Sequence, residues 1–440
     1  MIFIVSKYYT LVLIFFCLQL NAKIHSQYVK VNGLEFELAG KPYRFVGFNM
    51  FYAAYLGSTE QGQQRLIKEL DLLKILGITN LRILGSSQIS SKTGTMPSAI
   101  ETNSGIYNEK LLKGLDFALF EMGKRGIYAV IFLNNFWNWS GGNQQYLEWA
   151  DGESNFDPLK DKNWYGFVQY SSSFYSNYKA QQISLNYITM LINRKNVYSN
   201  IEYKNDPTIM SWQLCNEPRP GVEGSPNLAT QINAFATWVD ITARYIHSID
   251  SNHLVSTGSE GTHGSVESAE CFLKVHSSKY IDFSNFHLWA KNWKWYDARN
   301  HSGTYSKTIV KSIDYINLHI SLARQLGKPI TLEEFGFSRD SLKYNPDTPV
   351  KCRDMYFDRL LGLIADSAAL GAPLVGVNIW AFGGYGIPST ADKIFDNPNF
   401  LLGDPINEGQ GLNSVFATDY STLEIIKKYN NKLCGSTASH

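Results

Sequence analysis

Eight short apolar runs punctuate this sequence: Tyr43–Asn49, Ile78–Leu84, Tyr128–Asn135, Ile209–Asn216, His253–Glu260, Ile281–Trp289, Pro329–Phe335 and Gly376–Phe382. Between them, apolar residues recur at helical spacing. Gln63–Leu76 carries Leu66, Leu70, Leu73 and Leu76 on one stripe, and Glu109–Arg125 carries Leu112, Leu115, Leu119 and Met122 before Gly126 stops it. Leu228–His247 and Lys351–Gly371 repeat the pattern. Strands separated by helices demand a parallel sheet, and eight of them fit an α/β fold closed as a single (β/α)8 TIM barrel better than an open sheet. Ahead of the first run, Val29–Phe36 reads as a short hairpin on an Asn32-Gly33 turn, placed to cap the barrel floor. Residues 138–205 exceed a simple connection and are rich in Trp, Tyr and Asn, so an elaborated loop plus helix is expected to wall a groove there.

No Pro/Ser/Thr-rich linker divides the chain, so one domain over residues 23–440 is expected, without an appended binding module. Residues 1–22 have the layout of a secretory signal peptide. Lys7 precedes an apolar stretch from Tyr8 to Leu18, and Leu20-Asn21-Ala22 offers a cleavage site. The stretch falls short of the roughly 20 apolar residues a membrane span needs, so secretion to the extracellular space is expected, an uncleaved anchor being the alternative. Lys+Arg (40) and Asp+Glu (39) nearly cancel, which removes the field that nucleic acid or an anionic membrane surface would require. Aromatic residues make up 14% of the chain, and their flat rings suit a neutral, hydroxyl-rich ligand. Past the signal, Cys215, Cys271, Cys352 and Cys434 form no zinc spacing. Cys215 reads as a buried thiol, and the pairing of the other three is left open. No metal or organic cofactor is implied, and a monomer is expected.

In such a barrel the reactive side chains stand at the C-terminal ends of the strands. The fourth run ends in Asn216-Glu217-Pro218 and the seventh in Glu333-Glu334-Phe335-Gly336. A single Glu after a strand is usually structural. Two on well-separated strands can face each other across the mouth, one protonated as an acid and one ionised as a nucleophile. Carboxyls about 5–5.5 Å apart suit glycoside hydrolysis with retention, and about 6.5–9.5 Å suits inversion. Asn216 could meet a sugar 2-hydroxyl. Arg82 has no reason to occupy an apolar strand unless it meets a carboxylate, and it is assigned to orient Glu334 and keep it ionised. His287 and Trp289 end the sixth run on one face, and Trp380 ends the eighth, where it could stack on a sugar. Six of the ten tryptophans (Trp137, Trp139, Trp289, Trp293, Trp295, Trp380) fall at or just after strand ends, pointing to an open aromatic groove. His253, His263, His276, His301 and His319 read as ordinary structural histidines.

These residues resemble glycoside hydrolase family 5. The stretch Trp212–Pro220 is similar to its endo-β-1,4-mannanases of subfamily 7. Asn134–Gly142, His287–Trp293 and Gln410–Phe416 carry the same resemblance, which runs from about residue 28 to the C-terminus. It implies a retaining endo-acting hydrolase of internal β-1,4-mannosidic bonds, with Glu217 as acid/base and Glu334 as nucleophile. It places Asn216 and His287 around the reacting sugar, Trp380 under it and Arg82 behind the nucleophile; Trp137 and Trp289 complete the expected substrate-binding residues. Glu334 is favoured over Glu333 because it directly precedes the aromatic-Gly pair. One position departs from the pattern: Trp289 stands where much of the family has Tyr, so an indole N–H must replace a phenol hydroxyl or Arg82 must act alone. The expected partner is a neutral β-1,4-linked polysaccharide of the mannan type: mannan, galactomannan or glucomannan. A β-1,4-endoglucanase or transglycosylase on the same barrel is the alternative, and a non-catalytic glycan-binding protein a remote one.

Overall fold

The computed structural model describes residues 27–435; the signal-peptide expectation for residues 1–22 lies outside them. The eight expected strands are present: β1 (Phe45–Asn49), β2 (Asn80–Leu84), β3 (Tyr128–Phe132), β4 (Ile209–Gln213), β5 (Leu254–Ser256), β6 (Ser284–Leu288), β7 (Ile330–Phe335) and β8 (Leu374–Ile379). They pair in parallel in the order β5-β4-β3-β2-β1-β8-β7-β6. The strands are buried along almost their whole length, the surrounding helices outside and the barrel interior within, which explains why the runs read as continuously apolar. The seam between β5 and β6 is closed by single bonds. Asp282 N–H donates to the Val255 carbonyl at 2.9 Å, and Val255 N–H to the Asp282 carboxylate at 2.6 Å. The barrel is thereby nearly closed.

Of the four expected helices the first begins earlier than apolar periodicity indicates, at a side-chain cap, and the other three begin at Glu109, Leu228 and Lys351 as expected. Thr59 accepts from Gly62 N–H, so the first long helix spans Glu60–Ile75, and Asn108 caps Glu109–Gly123. The long 138–205 segment holds three helices of nine or more residues, Gly142–Asp151, Trp164–Ser172 and Tyr178–Ile192, more structure than a loop plus one helix.

The N-terminal hairpin is present, with a correction. Its two-residue turn is Gly33-Leu34, Gly33 taking φ +61, because Asn32 pairs with Glu35. The hairpin does cap the floor: Val29 and Phe36 pack with Phe45, Val130, Met210, Leu254, Phe283 and Val375 from the strand starts. The four cysteines are free thiols, so no bridge among Cys271, Cys352 and Cys434 forms, and Cys215 is fully buried as expected.

At the C-terminal end, Asp419 sits buried between two guanidiniums. Arg339 holds it in a two-pronged pair at 2.8 and 2.9 Å, and Arg353 approaches at 3.3 Å. Burial pushes Arg353 down to about 10, with Asp419 opposing the fall. Replacing Asp419 by Ala strands both cations without a counter-charge. The expected loss is about 3–5 kcal/mol of folding stability, checked by the urea midpoint of the variant against wild type.

Candidate active site

The local backbone of β7 decides what the site contains. Between Leu332 and Phe335 the strand carries one residue more than either neighbour: Phe286 and His287 of β6 face Leu332 and Glu334, and Val377 and Ile379 of β8 face Leu332 and Phe335. Glu333 is the extra residue of this bulge. In a regular strand adjacent side chains point to opposite faces, so only one Glu could reach the barrel axis; a bulge re-aims the second. Glu333 enters the interior, held by Gln213 and Asn285 at 2.5 Å each and by Thr331 at 3.0 Å. Glu334 reaches the cleft above it.

Glu217 follows β4 with φ +50, a left-handed conformation uncommon outside glycine and costly to hold. Its N–H donates to the Gly258 carbonyl at 2.9 Å, and Asn216 N–H to the Asn134 carbonyl at 2.8 Å, so neighbouring strand ends fix the turn.

The two carboxylates bring oxygens within 4.8 Å of each other, with His287 Nδ1 inside the same group. Their partners differ. Glu334 accepts from Arg82 Nη1 at 2.6 Å and Trp289 Nε1 at 3.1 Å. Glu217 accepts from Trp137 Nε1 at 2.5 Å and lies 2.7 Å from His287 Nδ1. The Trp289 indole N–H thus contacts Glu334 together with Arg82, where an indole in place of a phenol hydroxyl or Arg82 alone was the expectation. Burial and the charge of Glu217 push Glu334 well above the ordinary glutamate value, with Arg82 opposing. Burial, and then the positive charge of Arg82, push His287 well below its ordinary value, so its imidazole is neutral.

Arg82 is fully buried and spends its donors on four acceptors. These are Gln213 at 2.8 Å, Asn49 at 3.0 Å, Asn216 at 2.7 Å and Glu334. Asn216 in turn donates its amide to Asn135 at 3.1 Å, so its orientation is fixed from both sides. Asn49, Gln213 and Asn135 were not singled out from the sequence. Asn49 and Gln213 carry the signal that marked Arg82, a polar residue within an apolar run.

Above this network opens a cleft of about 500 Å³ lined by Trp137, Trp139, Trp164, Trp289, Trp293 and Trp380. Five of the six tryptophans expected there line it; Trp295 does not, and Trp164 from the inserted helices does. The Trp380 ring lies nearly parallel to Phe51, at 6.3 Å and 16°, and edge-on to Trp289 at 6.0 Å. On the Glu217 side, Arg219 pairs with Glu260 and lies over the Trp137 ring at 5.2 Å, while Trp293 donates to Glu260 at 3.1 Å. His263, expected to be merely structural, lines the cleft as well. A further part of the wall comes from Pro405, Asn407 and Glu408. It is anchored by Asp404, which accepts from Gly411 N–H at 3.0 Å, Asn413 N–H at 2.9 Å and Ser414 Oγ at 2.6 Å. Burial and the neighbouring Asp404 push Glu408 up to about 7. Arg219 and Glu408 escaped sequence reading because their setting depends on loop paths, whereas Glu260, a carboxylate closing the fifth apolar run, was passed over.

Comparison with known proteins adds a second line. The family model described as GH family 5 beta-mannosidase-like matches residues 26–437. A putative mannan endo-1,4-beta-mannosidase 4 of Arabidopsis thaliana is 29% identical over 422 residues, covering 92% of this chain and 91% of that protein. Mannan endo-1,4-beta-mannosidase 4 of Solanum lycopersicum is 29% identical, covering 84% and 86%. Among solved structures, a glycoside hydrolase family 5 mannosidase from Rhizomucor miehei superposes with a TM-score of 0.83 at 31% identity, covering 93% of this chain and 98% of that one.

Proposed function

The chain belongs to the beta-mannosidase-like members of glycoside hydrolase family 5, and we propose that within this family it is a secreted, monomeric, retaining endo-hydrolase of β-1,4-mannosidic bonds. The observation that carries the chemistry is the unequal pair Glu217 and Glu334. Their oxygens lie within 4.8 Å, close enough for direct attack and too close to hold an attacking water as well as the sugar, which favours double displacement over inversion. Glu334, oriented by Arg82 and Trp289, attacks the anomeric carbon. Glu217 gives its proton to the departing glycosidic oxygen, and a glycosyl ester on Glu334 results. Water then enters, loses a proton to Glu217 and breaks the ester with net retention. The neutral His287 beside Glu217 holds that carboxyl in place in both protonation states.

The substrate reading, mannan, galactomannan or glucomannan, is supported by the names of the relatives and by the aromatic cleft. Secretion is supported by the layout of residues 1–22. A second reading is exo-acting release of single mannose units, favoured by the likeness to the Rhizomucor miehei mannosidase. Digestion of galactomannan separates the two. A ladder of oligosaccharides with an early fall in viscosity supports endo action; mannose alone from the start overturns it. Cleavage of a soluble cellulose derivative at a comparable rate overturns the mannan assignment.

Glu217→Gln tests the mechanism. On an aryl β-mannobioside, whose leaving group needs no proton, the variant should form the ester quickly and stall. Azide should then accelerate turnover at least about tenfold, within the 10²–10⁴ that acid–base catalysis contributes, and yield the β-mannosyl azide. An α-azide would mean inversion. Glu334 must be ionised to attack, so activity is lost as pH falls through its pKa. Removing the charge of Glu217 lowers that pKa, and the acidic limb of the variant's pH–rate profile should move to lower pH.

A further inference from the structure

Beside the catalytic cleft lies a second depression of about 490 Å³, lined by Thr262, His263, Glu267, Trp295, Tyr315 and Leu318 together with Trp293 and Ala269. The two cavities share His263 and Trp293, whose ring centroids are 4.5 Å apart. We propose that this depression is an outer subsite for the leaving-group portion of the same polysaccharide chain, which binds neutral hexose units by stacking on Trp295 and by hydrogen bonds from its polar rim.

The direction follows from the chemistry. A general acid stands on the side of the oxygen it protonates, so the units that leave lie beyond Glu217. Arg219, Glu260 and Trp293 follow in that direction, each bonded to or packed on the next. The depression continues from Trp293. Its walls are held rigidly: the Tyr315 hydroxyl donates to the Glu260 carbonyl at 2.8 Å and accepts from His263 N–H at 3.2 Å. Trp293 and Trp295 meet edge to face at 4.9 Å, and Trp295 meets Tyr315 in the same way at 5.9 Å. Aromatic planes beside a polar rim, here the His263–Glu267 pair and Thr262, suit a ligand with apolar faces and hydroxyl edges. Leu318 stays 40% exposed on this wall, where a sugar face would cover it. This placement also accounts for Trp295, the one strand-end tryptophan that the catalytic cleft does not use.

The inference rests on the proposed polysaccharide substrate, and its test separates the two. Trp295→Ala and, independently, Leu318→Gln are compared with wild type on mannohexaose and on an aryl β-mannobioside, whose aryl group ends short of the depression. Each variant should lose kcat/KM on mannohexaose, about tenfold for Trp295→Ala, which corresponds to about 1.4 kcal/mol. Both should stay within twofold of wild type on the aryl substrate. Equal losses on both substrates, or no loss on either, overturn the subsite. Wild type that ignores mannohexaose but cuts another β-1,4 hexasaccharide overturns the mannan reading, and the same comparison of long with short substrates in that series decides the subsite.

Discussion

Glu334→Gln is expected to lower kcat/KM on galactomannan by on the order of 10⁴-fold or more, with the folded state retained. The amide keeps an oxygen for the 2.6 Å bond from Arg82 but offers no nucleophile to the anomeric carbon. Stability should change little, because the amide keeps the bond from Arg82 and Glu333, 4.0 Å from the same guanidinium, remains as a counter-charge. Steady-state rates with a thermal melt alongside check the prediction; residual activity within tenfold of wild type would remove Glu334 as nucleophile. Glu333→Gln provides the contrast. Glu333 lies outside the cleft lining and holds Gln213 and Asn285, so its loss should register first in the melt.

Arg82→Ala should damage both fold and chemistry. The change leaves Asn49, Gln213 and Asn216 without their shared donor and Glu334 without its cation. Breaking a buried pair of this kind costs about 3–5 kcal/mol, and the misdirected nucleophile should cost roughly a further 10²-fold in kcat/KM. Arg82→Lys discriminates the two effects. A lysine restores the charge but cannot reach four acceptors at once, so stability should recover more than rate. The pH profile carries a further sign. Arg82 opposes the rise in the pKa of Glu334, so its removal should push that pKa higher, and activity on acidification should fail at a higher pH than in wild type. A profile unchanged at its acidic limb would mean that Arg82 is structural only.

What could be read from the sequence follows a physical line. The strands were legible because parallel strands under helices are apolar on both faces, and a charged or amide residue inside such a run is conspicuous. Arg82, Glu217 and Glu334 were found that way; Asn49 and Gln213 gave the same signal and were passed over. The bulge at Glu333 was not legible, since it exists only in the register between β7 and its two neighbours. The resemblance chose between Glu333 and Glu334, but not why both side chains can turn inward. The Gly33-Leu34 turn came out one residue late for a similar reason: pairing partners set it, not local composition. Arg219 and Glu408 come to the cleft on loops, and periodicity says nothing of a loop's path; Glu260 closes the fifth run and was passed over like Asn49 and Gln213.

The closure of the barrel also has a consequence for how the protein is made. Strand β1, near the start, pairs with β2 on one side and with β8 on the other. The amide of Val46 donates to the side chain of Asn430, 384 residues later, and the same Asn430 donates to the Gly77 carbonyl at 2.7 Å. The first strand therefore lacks its full set of partners until the last helix, Tyr420–Gly435, has been synthesised. Contacts this distant carry a large loop-closure entropy and form late. A growing chain must hold its earliest strand, apolar on both faces, unsatisfied through nearly the whole of translation.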